Sequence, residues 1–145
     1  MIKVNIVCVG KIKEEYLRAA CAEYVKRLSR FCKLEIKELA EGKSLKEEAA
    51  SILKNAKGYK IALCVEGGQM TSPTLAEKVG ALVDKGGEIT FIIGSSCGLD
   101  DSVKQAADLK LSFSRMTFPH QLMRVILLEQ VYRAFMINAG SEYHK

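Results

Sequence analysis

The sequence predicts an α/β fold, a mostly parallel sheet with helices on both faces. Three observations predict it. Short apolar runs with strand character alternate with segments of helical spacing along the whole chain. Gly- and Ser-rich turns follow the strand-like runs, where an open sheet of this kind binds its ligands. The chain closes on a segment that is helical in length and apolar nearly all round.

Each element has its own signal. Residues 2–9 alternate and then run apolar, a buried first strand. Residues 13–30 carry Tyr16, Leu17, Ala20, Tyr24 and Leu28 at helical spacing, with Lys and Arg between them. Residues 33–40 alternate Leu34, Ile36 and Leu39 with Lys and Glu, a half-exposed strand. Ser44 with Glu47 three positions on is a capping box, and Gly58 stops the helix it opens. Residues 60–65 are a buried strand, followed by a turn at Glu66-Gly67-Gly68-Gln69. Ser72 is the expected cap of the next helix, with Pro73 at its first position and its end at Lys85. Gly86-Gly87 turns into a strand over 88–93. Asp100 caps a short helix ending near Ala107, residues 109–112 form a short strand, and Pro119 to Ala139 is the closing helix. One domain is expected at 145 residues, with no linker, repeat or low-complexity segment.

Apolar residues make up 48% of the chain and charged residues 27%, the balance of a soluble globular protein. No apolar run is long enough to span a membrane, and the amino terminus reads as a strand, not a signal peptide. Cys8, Cys21, Cys32, Cys64 and Cys97 are odd in number and form no C-x-x-C pair. They indicate free thiols in a reducing cytoplasm, with no metal site. The net charge of +5 is unevenly spread. Residues 1–60 hold 14 Lys and Arg against 8 Glu and no Asp; residues 61–145 hold 8 against 9 acidic residues. The basic half suits an anionic partner such as RNA, or equally a solvated mixed-charge helix face.

Three turns stand at strand ends: Glu66–Gln69, Gly94-Ser95-Ser96-Cys97-Gly98, and Phe113–Phe118. None is a P-loop or a dinucleotide fingerprint. Small residues there let a ligand approach backbone N–H and C=O groups, which can read a flat heterocycle. The second turn also fits G-x-S-x-G, which opens a serine-hydrolase alternative with Ser96, Asp108 and His120 or His144. Only about fifty residues follow Ser96, few for the strands that fold needs. The closing helix carries apolar residues around nearly its whole circumference, from Leu122 to Ile137. One face can pack on the sheet; the other predicts a homodimer.

The segment Leu111-Ser-Phe-Ser-Arg-Met-Thr-Phe-Pro-His120, its continuation Gln-Leu-Met-Arg-Val-Ile-Leu-Leu-Glu-Gln-Val-Tyr-Arg-Ala-Phe, and the closing Tyr143-His144-Lys145 resemble the RlmH (YbeA-type) family of SPOUT methyltransferases. The opening Ile6–Tyr16 and the stretch Phe91–Leu99 resemble that family's first strand and helix and its Gly-rich loop. The resemblance implies S-adenosylmethionine-dependent methylation of N3 of a pseudouridine in large-subunit ribosomal RNA. It also implies a homodimer, a trefoil knot in the carboxyl-terminal part, and no separate RNA-binding domain.

Residue by residue, the resemblance places the cofactor against Leu63, Cys64, Gly94 and the run Phe113, Ser114, Arg115, Met116, Thr117 and Phe118. Gly94 is expected to admit the cofactor to the Gly-rich loop. His144 beside Tyr143 is the expected catalytic pair, reaching across the dimer, with His120 a second candidate base. Arg115, Arg124 and Arg133 are candidate phosphate ligands, Arg124 and Arg133 being equally able to form ion pairs. The sequence departs from the family pattern at Ser95, usually Gly, at Cys64, often Leu, and in a shorter loop near Ala40–Ser44. A non-catalytic RNA-binding dimer with a degraded pocket is the remaining alternative.

Overall fold

The computed structural model describes all residues, 1–145. Ten elements alternate strictly: β1 (Lys3–Val9), α1 (Glu15–Leu28), β2 (Lys33–Leu39), α2 (Leu45–Asn55), β3 (Tyr59–Gln69), α3 (Ser72–Asp84), β4 (Ile89–Ile93), α4 (Asp101–Ala106), β5 (Leu109–Ser112) and α5 (His120–Asn138). The strands form one sheet in the order β2-β1-β4-β3-β5, and every neighbouring pair is parallel.

The period-2 pattern of the strands builds both cores. Val4, Ile6 and Cys8 of β1 and Ile89, Phe91 and Ile93 of β4 face α1, α3 and α5. The alternate residues Val7, Val9 and Ile92 face α2 and α4. A sheet buried on both sides needs near-continuous apolar strands, and β4 is buried at every position. The connections through α1 and α3 step one way along the sheet on one face, and those through α2 and α4 step the other way on the opposite face. All four therefore share one hand, as parallel crossovers do.

Local chemistry sets most boundaries. Ser44 accepts a hydrogen bond from the Glu47 N–H at 3.1 Å, and Asp100 accepts from the Ser102 N–H at 3.0 Å. The Glu47 carboxylate reaches Lys43 N–H, one residue outside the expected box, while Glu48 takes Gly42 N–H. At α3 the cap is Thr71, not Ser72: Thr71 Oγ1 accepts from the Thr74 N–H at 3.2 Å. Ser72 thus becomes the first helical residue, with Pro73 following it.

The largest departure from expectation is β3. The Gly67-Gly68 pair does not turn; the strand continues to Gln69. Leu63 and Gly68 both pair with Leu111 of β5, so residues 64–67 bulge out between them. Gly67 permits this because a Cβ there would stand 2.8 Å from the Lys110 carbonyl carbon. The bulge pushes Cys64, Val65 and Glu66 beyond the carboxyl edge of the sheet, where they help to wall a cavity.

α5 lies between α1 and α3 over β4. Leu127, Leu128, Val131, Ala134 and Phe135 are buried there, and the same chain covers more of the helix circumference than the sequence implied. Leu122 remains exposed, and Val125, Ile126, Met136 and Ile137 are half-buried. No helix is long and apolar enough to cross a membrane.

Candidate active site

The main cavity, about 650 Å³, opens at the carboxyl ends of β3, β4 and β5. After β3 the chain leaves toward one face of the sheet, and after β4 toward the other. The crevice between these diverging loops is where open α/β sheets bind ligands. Its walls are the β3 bulge, the loop Gly94–Leu99, and the segment Leu111–Pro119 running into α5.

Of the residues expected around the cofactor, Leu63, Cys64, Gly94, Phe113, Ser114, Met116, Thr117 and Phe118 all line this cavity. Arg115 sits on the same segment but is exposed and is not part of the wall. Leu99, Lys104 and Met123, which the sequence did not single out, complete the lining. Lys104 lies four positions past the Asp100 cap, a spacing that carries it back toward the loop ends.

Gly94 lines the cavity and also has a structural part. It is buried, and a Cβ there would overlap the Gly98 carbonyl and stand 3.0 Å from Leu99 Cδ2. Its missing side chain lets the loop close on itself. The closure is held by the Gly98 N–H donating to Ser95 O at 2.9 Å, with Gly98 at φ +89°. Ser95 Oγ donates to the buried Glu48 carboxylate at 3.0 Å, tying the loop to α2. The hydroxyl at this departure from the family pattern therefore has a defined partner.

The wall is mostly apolar, and its charge is internally balanced. Lys104 and Glu66 form an ion pair across the mouth. That contact holds the Glu66 carboxyl below its ordinary range and the Lys104 ammonium above its own. Burial, and then the charge of Glu66, push the Cys64 thiol up, so it is a neutral packing surface at physiological pH and no nucleophile. His120 is the one histidine in the lining.

The carboxyl-terminal tail is elsewhere. Tyr143 Oη donates to Glu129 at 2.9 Å, and the Tyr143 ring packs edge-on against Tyr132 at 5.1 Å. Arg133 bonds the same Glu129, lies 4.8 Å over the Tyr143 ring and reaches His144 Nδ1 at 3.1 Å. Within one chain, Tyr143 and His144 therefore fold back on α5 and do not enter the cavity.

Arg124 is not a phosphate ligand. It is 1% exposed, pairs with Glu38 at 2.6 Å and donates to the Gly10 carbonyl at 3.1 Å. It locks the start of α5 to the ends of β1 and β2. Arg133 is half-buried and committed to Glu129, which leaves it poorly placed for RNA. Exposed cations toward this end of the sheet include Lys11 and Lys13 on the β1–α1 loop, Lys110 on β5, whose charge is felt by Cys64 and Glu66, and Arg115; none of them has a carboxylate partner. Buried Ile12 anchors the lysine loop, and the Lys13 N–H donates to Gln121 at the first turn of α5 at 3.1 Å.

The hydrolase alternative fails on geometry. Asp108 stands at the amino edge of the sheet, accepting from the Lys60 N–H at 2.8 Å. Ser96 lies past the carboxyl end of β4, a strand length away, roughly 16 Å at about 3.3 Å per residue. No residue other than glycine has positive φ, so the strained elbow that exposes a nucleophilic serine is missing. An open cavity likewise speaks against a degraded pocket.

Comparison with known proteins gives the family. A family model described as "Predicted SPOUT methyltransferase" matches residues 2–144. The chain is 50% identical to Ribosomal RNA large subunit methyltransferase H of Clostridium novyi (strain NT), over 99% of this chain and 100% of that protein. It is 48% identical to the protein of the same name from Bifidobacterium adolescentis, with the same coverage. Among solved structures, a probable methylase family protein from Haemophilus influenzae Rd KW20 superposes with a TM-score of 0.63 at 14% identity, over 100% of this chain and 72% of that one. A tRNA (m1G37) methyltransferase from Aquifex aeolicus gives 0.55 at 14% identity, over 90% and 69%. These two show a shared fold. With the family match running from Ile2 to His144, the chain belongs to the SPOUT methyltransferases.

Proposed function

We propose that the protein methylates N3 of a pseudouridine in large-subunit ribosomal RNA, using S-adenosylmethionine and working as a homodimer in the cytoplasm. The observation that carries this is the full-length likeness, near half identity, to proteins named for large-subunit ribosomal RNA methylation.

The cavity suits the cofactor. Its volume lies in the range of small-molecule sites. Apolar walls and backbone groups from three loops fit an adenosine and a methionine chain. The bound cofactor supplies an electrophilic methyl group on a positively charged sulfur. Leu63, Cys64 and the Phe113–Phe118 segment hold it, and the closed Gly94–Gly98 loop shapes the floor. Positioning then dominates, since the leaving group is already good.

The pseudouridine N3 must lose its proton before it can act as a nucleophile. Two routes fit this chain. His120 stands in the cavity wall itself. The Tyr143–His144 tail, exposed at His144 and held outward by Glu129, would serve the neighbouring protomer's cavity in a homodimer. Leu122, with the half-buried Val125, Met136 and Ile137 of α5, supplies a surface for that dimer. Lys11, Lys13 and Arg115 position the RNA through its phosphates, in place of Arg124. The trefoil knot belongs to the same reading, supported by membership of the family.

The test is methyl transfer from labelled S-adenosylmethionine to purified ribosomes lacking the modification, with the nucleoside identified by mass spectrometry. Methylated pseudouridine in large-subunit RNA is expected. Cofactor binding without transfer refutes the assigned substrate; absence of both refutes the enzyme reading.

A further inference from the structure

We infer that a second, smaller cavity is the pocket for the target base, and that Gln130 donates a hydrogen bond to a carbonyl flanking N3. This rests on the reading of the protein as a pseudouridine N3-methyltransferase. The second cavity, about 340 Å³, lies between the start of α3 and α5. It shares Leu111, Phe113 and Phe118 with the main cavity, so the two adjoin at these residues. Methyl transfer needs donor and acceptor atoms in contact. An acceptor pocket must therefore abut the cofactor cavity, and this one does.

The lining has the pattern a planar base requires. Phe113 and Phe118 offer flat apolar faces for stacking. The polar groups gather at one end, where Ser72 Oγ donates to Gln130 Oε1 at 2.6 Å. That bond orients the half-buried amide. Its oxygen is engaged, and its NH2 group makes no hydrogen bond within the protein.

A uracil-type ring carries N3 between two carbonyls. An amide N–H donating to one of them selects that edge. It also rejects cytosine where the ring presents an amino group instead. When N3 gives its proton to the base, the electron pair left behind spreads onto both carbonyl oxygens. A donor already in place stabilises that charge. The amino end of α3, thirteen residues long, adds a positive dipole end on the same side.

The test uses the full-length protein with 13C-methyl isoleucine and millimolar nucleosides. Pseudouridine and uridine are expected to shift the methyl signal of Ile126, which lines the second cavity, and cytidine to shift it far less. Gln130→Leu should lose that response. On unmodified ribosomes it should lower kcat by ~100-fold. Its cofactor Kd by calorimetry and its melting temperature should stay at wild-type values. The alkaline rise of its kcat should also move to higher pH, which a merely structural role would not produce. A silent Ile126 signal in the wild type, or a Gln130→Leu enzyme with kcat within twofold, overturns the assignment. If the wild type shifts Ile126 with pseudouridine yet methylates no ribosome, the base pocket stands and the assigned reaction falls.

Discussion

The substitution Gly94→Ala isolates what the loop after β4 contributes. The Cβ it adds overlaps the Gly98 carbonyl oxygen and stands 2.7 Å from the Gly98 carbonyl carbon. That is about 1 Å short of ordinary carbon–carbon contact. The obstacle is backbone, which cannot rotate away as a flexible side chain can. Gly98 is in turn held by its own N–H to Ser95 O, and Ser95 by Glu48. Relief must come from opening the loop by about the same distance. Overpacking of this kind costs about 1–3 kcal/mol. For a chain of this size that is a fall in melting temperature of roughly 3 to 10 °C.

The opened loop is also a wall of the main cavity, so affinity for S-adenosylmethionine should fall at least ~10-fold, the ratio equivalent to about 1.4 kcal/mol. Calorimetric titration of the folded variant reads it. Gly58→Ala is the control. Gly58 has φ +70°, and a Cβ there would overlap the Glu88 carbonyl at the amino edge of the sheet, far from the cavity. It should lower stability comparably and leave cofactor affinity of the folded protein alone. A Gly94→Ala variant that binds cofactor within twofold of wild type would refute the reasoning.

Three further predictions follow from side chains placed by the structure. Arg124→Ala should destabilise by about 2–4 kcal/mol in denaturant unfolding, since it strands Glu38 and the Gly10 carbonyl; its partner's partial exposure keeps this near the low end for a broken buried pair. The folded variant should show the wild-type salt dependence of ribosome binding; a flatter slope would restore Arg124 as a phosphate ligand. Replacing Lys11, Lys13 and Arg115 together by Ala should lower the slope of log affinity against log salt by roughly 2, at about 0.7–0.9 per phosphate contact, with cofactor affinity unchanged; an unaltered slope puts the RNA on another face. Burial pushes the Cys8 thiol up to about 12, and burial with the Glu129 carboxylate pushes Tyr24 up to about 12. The unfolded chain releases these protons from about pH 9, whereas the native state keeps them. Stability is therefore intact below that pH and falls as pH rises toward 12. Unfolding free energy measured across that range should fall less steeply in Cys8→Ser, and equal slopes would count against the burial argument.

The sequence carried the alternation of elements because the strands are apolar runs or, in β2, an apolar–charged alternation, and most helices have a local start signal, such as Ser44 with Glu47 or Asp100. It carried the cavity because all three walls are contiguous segments at strand ends. What it hid depends on distant backbone. Gly67-Gly68 reads as a turn, and only the Lys110–Leu111 backbone lying against Gly67 explains a strand with a bulge. Gly94 reads as room for a ligand, and only the return of Gly98 shows that the space a Cβ would take there is filled by the loop itself. Arg124 was legible in principle. It shares a helical stripe with Leu128, Val131 and Phe135, all buried, so its side chain was bound for the interior. Its partner Glu38 sits on a strand 86 residues away in sequence, and no spacing rule reaches that far.

The distribution of charge around the cavity makes a last demand. The cofactor carries a positive sulfur, whereas its product after methyl transfer is a neutral thioether. A free cation in the wall would oppose the first and not the second. Lys104 is such a cation, and Glu66 neutralises it across the mouth. The unpaired cations Lys11, Lys13, Lys110 and Arg115 lie outside its wall, where they can meet phosphates. Glu66→Gln should therefore weaken S-adenosylmethionine several-fold at low salt and scarcely change S-adenosylhomocysteine, so that product inhibition becomes severe. Added salt should shrink the difference, because the pair sits at a solvent-open mouth. Lys104→Gln should move the ratio the opposite way, leaving Glu66 free to attract the cationic cofactor. If the two ligands lose affinity equally in Glu66→Gln, the ion pair serves only to hold the β3 bulge against α4, and the cavity selects its cofactor by shape alone.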